Sequence, residues 1–310
     1  MFKIALKVLW SMLVDRQRMA GRTWWTEFSC RVGRMLFAIG AQIPVASFRK
    51  MMAKVQIKDP ITKKVVMRWS EIAGINCLYL RPNTLGESDS PKHVLLYLHG
   101  GGYVVGHPDA YQALMSNIAV AKNALAIAPD YRLSPENPFP AGQDDCLAVA
   151  KAVREAYPDA RLTVMGDSAG GGLSVATALS FSDIDNLVLL SPWVEPNATT
   201  GSIVSNVTND IFLPEFLLES YQAHIQNADS FDTRVNFKYA DLSPLPRTLL
   251  QVAGGELFYD QGVEFAERAK CEGVEMTLDV YETQFHVFQV LGPKLNDTKI
   301  AIGRIVDFIE

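Results

Sequence analysis

The feature of the sequence that most constrains the fold is the alternation, from about residue 65 onward, of short apolar runs with longer segments of helical pattern. The runs lack strict apolar–polar alternation, which is typical of strands buried on both faces. The predicted strands are residues 65–69, 76–80, 94–99, 125–129, 162–166, 187–191, 249–253 and 276–281. The predicted helices are residues 111–122, 142–156, 169–180, 261–271 and 298–309. This order predicts an α/β fold with a mostly parallel sheet, helices on both faces and an early antiparallel strand pair.

Two segments do not follow this alternation. Residues 1–55 have a helical pattern and are rich in Met, Trp and Arg, and residues 195–229 separate two predicted strands by more than a usual loop. We therefore predict that residues 56–310 form the main domain. A helical cap, made of residues 1–55 and an insertion at about 195–229, is expected to cover the C-terminal edge of its sheet.

The charge of the chain is unevenly distributed. A net charge of −5 and a pI of about 5.6 argue against nucleic acid as the main partner. Residues 1–70 nevertheless carry a net charge of +11, which leaves −16 for the rest of the chain. We expect the basic segment to dock on the acidic body. The alternative is a weak membrane-surface contact, because residues 1–14 place Lys3 and Lys7 among apolar residues at helical spacing.

The N-terminal apolar run and the cysteines both bear on location. Lys7 interrupts the apolar run at residues 1–14, so the run is too short to span a bilayer, and it is not a clean signal peptide.

The cysteines, at positions 30, 77, 146 and 271, form no CxxC pair and no close cluster with histidine. We therefore predict reduced thiols in the cytoplasm, with neither a disulfide framework nor a metal site.

One serine lies in a glycine-rich motif, Gly166-Asp167-Ser168-Ala169-Gly170. The pattern Gly-x-Ser-x-Gly alone is weak evidence, since a chain of this length contains one by chance roughly one time in ten. Here, however, a predicted strand runs straight into the motif and a predicted helix follows it. A sharp strand-to-helix turn would hold the serine hydroxyl exposed at the sheet edge, and it needs glycines to avoid clashes. We therefore predict that Ser168 is a nucleophile.

A nucleophilic serine that attacks a carbonyl needs hydrogen-bond donors for the oxyanion. The sequence His99-Gly100-Gly101-Gly102 directly follows a predicted strand. We expect the backbone N–H groups of Gly100 and Gly101, together with that of Ala169, to form the oxyanion hole. His99 is expected to support this loop rather than to transfer protons.

The general base is expected near the C-terminus if the order is serine, acid, histidine. Of the five histidines, only His286 follows the last predicted strand. Surface or packing roles are expected for the histidines at positions 93, 107 and 224. The acid should follow the preceding strand, where Glu256 is best placed. Asp260 is expected to cap the next helix, and Glu282 ranks third.

These motifs resemble those of the hormone-sensitive-lipase family of α/β-hydrolases, in its bacterial esterase branch. The resemblance also covers Asp-Tyr-Arg-Leu-Ser-Pro-Glu-Asn-Pro-Phe-Pro-Ala at 130–141 and Phe-His-Val-Phe at 285–288, and extends from about residue 65 to the end. It implies an α/β-hydrolase fold with an eight-stranded, mostly parallel sheet and a helical cap. It also implies a cofactor-free serine carboxylesterase that hydrolyses short- to medium-chain esters through an acyl-enzyme on Ser168. Many members carry Asp-x-Leu-x-Asp where residues 256–260 read Glu-Leu-Phe-Tyr-Asp, so Glu256 falls on the catalytic position.

Several alternatives stay open at this point. The same site attacks amides, so an amidase or deacetylase is one, and a non-catalytic small-molecule-binding member of the fold is another. The last predicted strand is expected at a sheet edge, and pairing through it would give a homodimer. Candidate substrate-pocket residues, most of them also expected to pack in the core or cap, are Trp24, Trp25, Tyr103, Trp193, Phe212 and Phe216.

Overall fold

Residues 19–226 and 228–309 are described by a computed structural model of the chain, and the basic stretch at residues 1–14 lies outside them. The strands of the described residues are β1 (Val65–Ile72), β2 (Ile75–Pro82), β3 (His93–Leu98), β4 (Leu125–Pro129), β5 (Arg161–Asp167), β6 (Asn186–Leu190), β7 (Arg247–Ala253) and β8 (Met276–Tyr281). They form an eight-stranded sheet in the order β1-β2-β4-β3-β5-β6-β7-β8. The predicted α/β fold is thereby confirmed.

Several helices of the described residues pack against this sheet. The helices are α1 (Trp24–Gly40), α2 (Val45–Met52), α3 (Gln112–Lys122), α4 (Ala141–Ala156), α5 (Ser168–Ser180), α6 (Ser202–Ser205), α7 (Pro214–Ile225), α8 (Tyr259–Cys271) and α9 (Asn296–Phe308). Short 3₁₀ helices occur at Pro60–Lys64, Pro108–Tyr111, Phe237–Tyr239 and Phe288–Leu291. No helix in the described part of the chain is both long enough and apolar enough to cross a membrane.

The sheet changes from antiparallel to parallel at β4. β1 and β2 form an antiparallel hairpin whose turn, Ala73-Gly74, has positive φ at both positions, as a two-residue type I′ turn requires. β2 also pairs antiparallel with β4, whereas β3 to β8 pair in parallel. β4 and β6 are buried along their whole length, because apolar side chains pack on both faces of the sheet.

The two predicted cap segments contact each other. α1 and α2 lie in the first segment, and α6 and α7 lie in the second. The buried guanidinium of Arg22, just before α1, donates to the carbonyl oxygens of Asn209 at 2.7 Å and Thr283 at 2.8 Å. Arg34 in α1 donates to the carbonyl oxygen of Asp210 at 3.0 Å. The N-terminal segment therefore packs against both the insertion and the loop that follows β8.

Candidate active site

Ser168 lies at the sharp junction between β5 and α5. Its φ is +52°, a left-handed conformation that is uncommon for any residue except glycine. A Cβ atom on Gly166 would collide with the carbonyl oxygen of Gly170, and one on Gly170 would collide with the carbonyl oxygen of Leu98. Both glycines of the motif are therefore required by the close approach of backbone around the serine. The helix N-terminus below Ser168 presents free N–H groups, which favour negative charge.

The glycine loop after β3 lies beside this junction. The N–H of Gly100 donates to Oδ1 of Asp167 at 2.9 Å, so the expectation that this N–H binds the oxyanion needs correction. The N–H groups of Gly101, Gly102 and Ala169 have no acceptor among residues 19–226 and 228–309. Of these three residues, Gly101 lines the cavity described below. Gly102 is an unpaired donor within the described residues that sequence reasoning did not consider.

Asp167, the residue before Ser168, joins the glycine loop to the serine turn. Its buried carboxylate also accepts the hydroxyl protons of Tyr97 at 2.7 Å and Tyr111 at 3.2 Å. Burial raises the pKa of Asp167 to about 6, although the hydrogen bonds from Tyr97 and Gly100 act to lower it. The motif aspartate thus fixes the loop that carries the open N–H groups.

His286 and Glu256 form a buried pair. Nδ1 of His286 lies 2.7 Å from Oε2 of Glu256, and the Ala253 N–H donates to the other oxygen of that carboxylate at 2.9 Å. Since the carboxylate accepts, Nδ1 carries the proton and Nε2 is left as an acceptor. Nε2 is buried and has no hydrogen-bond partner within the described residues. Phe212 and Phe258 pack edge-on against the imidazole, with ring centroids at 4.7 and 5.0 Å, and fix its plane.

The electrostatics of the pair favour a basic histidine. Burial alone lowers the pKa of His286, but the hydrogen bond and the negative charge of Glu256 outweigh it and hold that pKa above the usual 6.5. Burial also raises the pKa of the Glu256 carboxyl, against the hydrogen bonds that it accepts from His286 and Ala253. An imidazolium formed at His286 is therefore stabilised by its partner.

The other acid candidates lie elsewhere. Asp260 accepts the N–H of Ser202 at 2.7 Å and so holds α6, rather than capping its own helix. Glu282 makes no hydrogen bond to His286 in the described residues.

Asp210, a buried residue of the cap insertion, is a site residue that sequence reasoning missed. Its Oδ1 accepts the backbone N–H of His286 at 3.0 Å, and its Oδ2 accepts that of Leu257 at 2.8 Å. It therefore ties the histidine loop to the loop of Glu256. The only sequence signal was an acidic residue in an otherwise apolar context, Asp-Ile-Phe-Leu at 210–213.

The remaining histidines have packing roles. His99 is buried, with Nδ1 2.8 Å from the carbonyl oxygen of Gly100, and burial lowers its pKa to about 4. His224 is stacked on Tyr103 at 3.9 Å, and burial lowers its pKa to about 4 as well. His107 caps a 3₁₀ helix, and His93 lies at the start of β3.

A cavity of about 360 Å³ joins the serine to the histidine. Ser168, His286 and Gly101 line it, and the rest of its wall is mostly apolar. The apolar residues of its wall include Phe28, Val32, Leu36, Phe37, Met52, Val55, Ile57, Ile211, Phe212, Phe285, Val287, Val290 and Leu291. Of the six aromatic residues considered from sequence, only Phe212 lines this cavity; Tyr103, Trp193 and Phe216 are buried in the core, and Trp24 and Trp25 are exposed. No group of three or more potential metal ligands occurs in the part of the chain that the structure describes.

Known proteins share both the sequence pattern and the fold. A family model of the α/β-hydrolase fold matches residues 95–290. An acetyl-hydrolase of Streptomyces hygroscopicus is 31% identical over 215 residues, covering 67% of this chain and 72% of the relative. An esterase of Acinetobacter venetianus is 27% identical over 260 residues, covering 80% and 83% respectively. The crystal structure of an esterase from the bacterial hormone-sensitive lipase family is 30% identical, with a TM-score of 0.81 over 90% of this chain and 96% of the other.

Proposed function

The chain belongs to the hormone-sensitive-lipase family of α/β-hydrolases and is a carboxylic ester hydrolase, and on that premise we propose that it acts through an acyl-enzyme on Ser168. One observation carries this proposal. Nε2 of His286 is a buried acceptor without a partner in the described residues, in the wall of the cavity that Ser168 also lines, while Nδ1 is bonded to Glu256. An unpaired Nε2 of this kind can accept the proton of a serine hydroxyl.

In the proposed mechanism, Nε2 of His286 removes the hydroxyl proton of Ser168 as Oγ attacks the ester carbonyl. Glu256 stabilises the imidazolium that forms. The N–H groups of Gly101, Gly102 and Ala169 bind the oxyanion of the tetrahedral intermediate. His286 then gives its proton to the leaving alkoxide, and the alcohol departs. His286 next takes a proton from water, and the resulting hydroxide attacks the acyl-enzyme. His286 returns that proton to Oγ of Ser168 as the bond between Oγ and the acyl carbon breaks, and the acid leaves.

The cavity supports short- to medium-chain esters as substrates. Its volume of about 360 Å³ and mostly apolar wall suit an alkyl chain of moderate length. The relative named acetyl-hydrolase favours the short end of that range. A series of nitrophenyl esters from acetate to laurate tests this, with kcat/KM expected to be highest for short and medium chains. A maximum at the longest chain would contradict it.

Covalent labelling tests the assignment of the nucleophile. A serine-directed organophosphonate should label the wild-type protein, and peptide mapping should place the adduct on Ser168. Ser168→Ala should take no label, and Ser174→Ala, a buried serine six residues later in α5, serves as the matched control. An unlabelled Ser168 in wild-type protein that is folded would overturn the proposal.

Three further assignments belong to this proposal. The cap consists of residues 1–55 and about 195–229 around a catalytic domain at 56–310. The outer edge of β8 is unpaired in the described sheet, and a two-fold homodimer would pair through this edge. Sedimentation velocity tests whether the protein is a dimer.

The four cysteines are free, which supports a reducing compartment such as the cytoplasm. Cell fractionation tests that location.

A further inference from the structure

The first turns of α1 expose three large aromatic side chains, which we call the aromatic patch. Trp24 and Trp25 are each 60% exposed and Phe28 is 49% exposed. They pack on one another rather than into the core: the Trp24 ring stacks on Phe28 at 5.2 Å and meets Trp25 edge-on at 4.5 Å. A contiguous exposed cluster of large apolar side chains is a candidate interaction surface.

The aromatic patch adjoins the cavity that contains Ser168. Phe28 belongs to both, and Val32 and Leu36 continue the cavity wall along the same helix. The cavity wall also includes Val55 and Ile57, which follow α2. A molecule held against the patch would therefore lie next to an apolar route to the serine.

The same part of the cap is positively charged. Between Glu27 and Asp59 the chain has no acidic residue and six basic ones. Three of these, Lys50, Lys54 and Lys58, are exposed, and we call them the lysine rim. Lys54 and Lys58 directly flank the segment 55–57 that lines the cavity. Residues of the cavity wall thus adjoin the exposed aromatic side chains of α1 and, along the chain, the ammonium groups of Lys54 and Lys58.

We propose that the aromatic patch and the lysine rim dock on a negatively charged lipid surface, from which ester substrates enter the cavity. Tryptophan side chains prefer the boundary between headgroups and acyl chains, because one edge is apolar and the indole N–H is polar. Lysines beside them are attracted by anionic headgroups. Docking of a second copy through the same face is disfavoured, because a two-fold contact would bring two lysine rims together. The inference rests on the proposed function of the cavity as the ester site.

Vesicle binding tests the proposal without requiring activity. The full chain with Ser168→Ala is sedimented with vesicles of phosphatidylcholine alone or mixed with phosphatidylglycerol. We expect stronger binding to the mixed vesicles. Trp24→Ala with Trp25→Ala should weaken it about tenfold or more. Lys50→Gln, Lys54→Gln and Lys58→Gln should each weaken it up to about fivefold, an effect that high salt removes.

A matched control comes from another exposed aromatic pair. Phe231 and Tyr239 are 57% and 55% exposed and contact each other at 5.7 Å, outside the cavity wall. Phe231→Ala with Tyr239→Ala should bind vesicles as the parent does. Equal binding by the tryptophan variant and the parent would overturn the proposal. The proposal would also be overturned if the parent did not bind vesicles and the tryptophan variant differed from it only in sedimentation velocity, as a monomer where the parent is a dimer.

Activity separates this proposal from the function on which it rests. With Ser168 intact, the double tryptophan variant should hydrolyse dissolved nitrophenyl acetate like wild type, but should hydrolyse a long-chain nitrophenyl ester dispersed in mixed vesicles about tenfold more slowly. A protein labelled on Ser168 that ignores vesicles would refute the docking surface alone. A protein that binds vesicles but takes no label would refute the acyl-enzyme alone.

Discussion

The two halves of the site are held together by different means. The half around Ser168 is built from adjacent strands of the sheet, where glycines permit close backbone contacts and Asp167 ties the glycine loop to the serine turn. The half around His286 consists of two loops whose backbone is held by Asp210, a residue of the cap. The sheet therefore positions the proposed nucleophile, whereas Asp210, in the proposed cap, helps to position the proposed base.

The largest expected effect tests the half that contains the base. Glu256→Gln keeps the shape of the side chain but removes the charge that stabilises the imidazolium of His286. We expect kcat for a nitrophenyl ester to fall by about 10³- to 10⁴-fold. Asp260→Asn, four residues later in the first turn of α8, should keep kcat within about threefold, because the Asp260 carboxylate holds Ser202 instead. If the Asp260 change is the more damaging, the assignment of the acid is wrong.

The next effect tests the half that contains the nucleophile. Asp167→Ala leaves the Gly100 N–H and the Tyr97 hydroxyl without their acceptor, so the glycine loop loses its anchor. We expect kcat to fall about 100-fold, as when one oxyanion donor is lost. Asp167→Asn should restore kcat to within about fivefold, because its carbonyl oxygen can accept both protons and its amide can donate to Tyr111. An Asn variant as slow as the Ala variant would show that the charge, not the anchor, is required.

A smaller effect is expected where the cap meets the half that contains the base. In Asp210→Asn the side-chain oxygen can still accept the His286 N–H, but the new amide group faces the Leu257 N–H, a donor against a donor. We expect a loss of about 1–3 kcal/mol in the free energy of unfolding and about a tenfold fall in kcat.

Asp145→Asn is the matched control, since it alters a buried aspartate that pairs with Arg132 away from the cavity. It should lower stability without lowering kcat of the folded protein. Equal kcat in both variants would mean that the cap does not position His286.

The sequence predicted the parts of the molecule that depend on local pattern. A window of a few residues is enough to recognise the strand periods, the glycines around Ser168 and the position of His286 after the last strand. Asp210 was missed because its partners lie 47 and 76 residues away, at Leu257 and His286, in a segment with no regular period. The role of the Gly100 N–H was misjudged for the same reason, since its acceptor at Asp167 is 67 residues away. Long-range contacts of loops leave no periodic signal.

The smallest expected effect is a shift in the pH dependence of activity. In the proposed mechanism catalysis requires neutral His286, whose pKa is raised above 6.5. The value of kcat/KM should therefore increase with pH, with a midpoint above pH 6.5, and be low at pH values below that midpoint. Glu256→Gln removes the main cause of the raised pKa and should move that midpoint down by about one unit or more. The charge of Asp210 also raises the pKa of His286, but less, so Asp210→Asn should give a smaller downward shift. Asp260→Asn should leave the midpoint in place. A midpoint that stays fixed in Glu256→Gln would show that another group, such as Asp167 with its pKa of about 6, controls the acid limb.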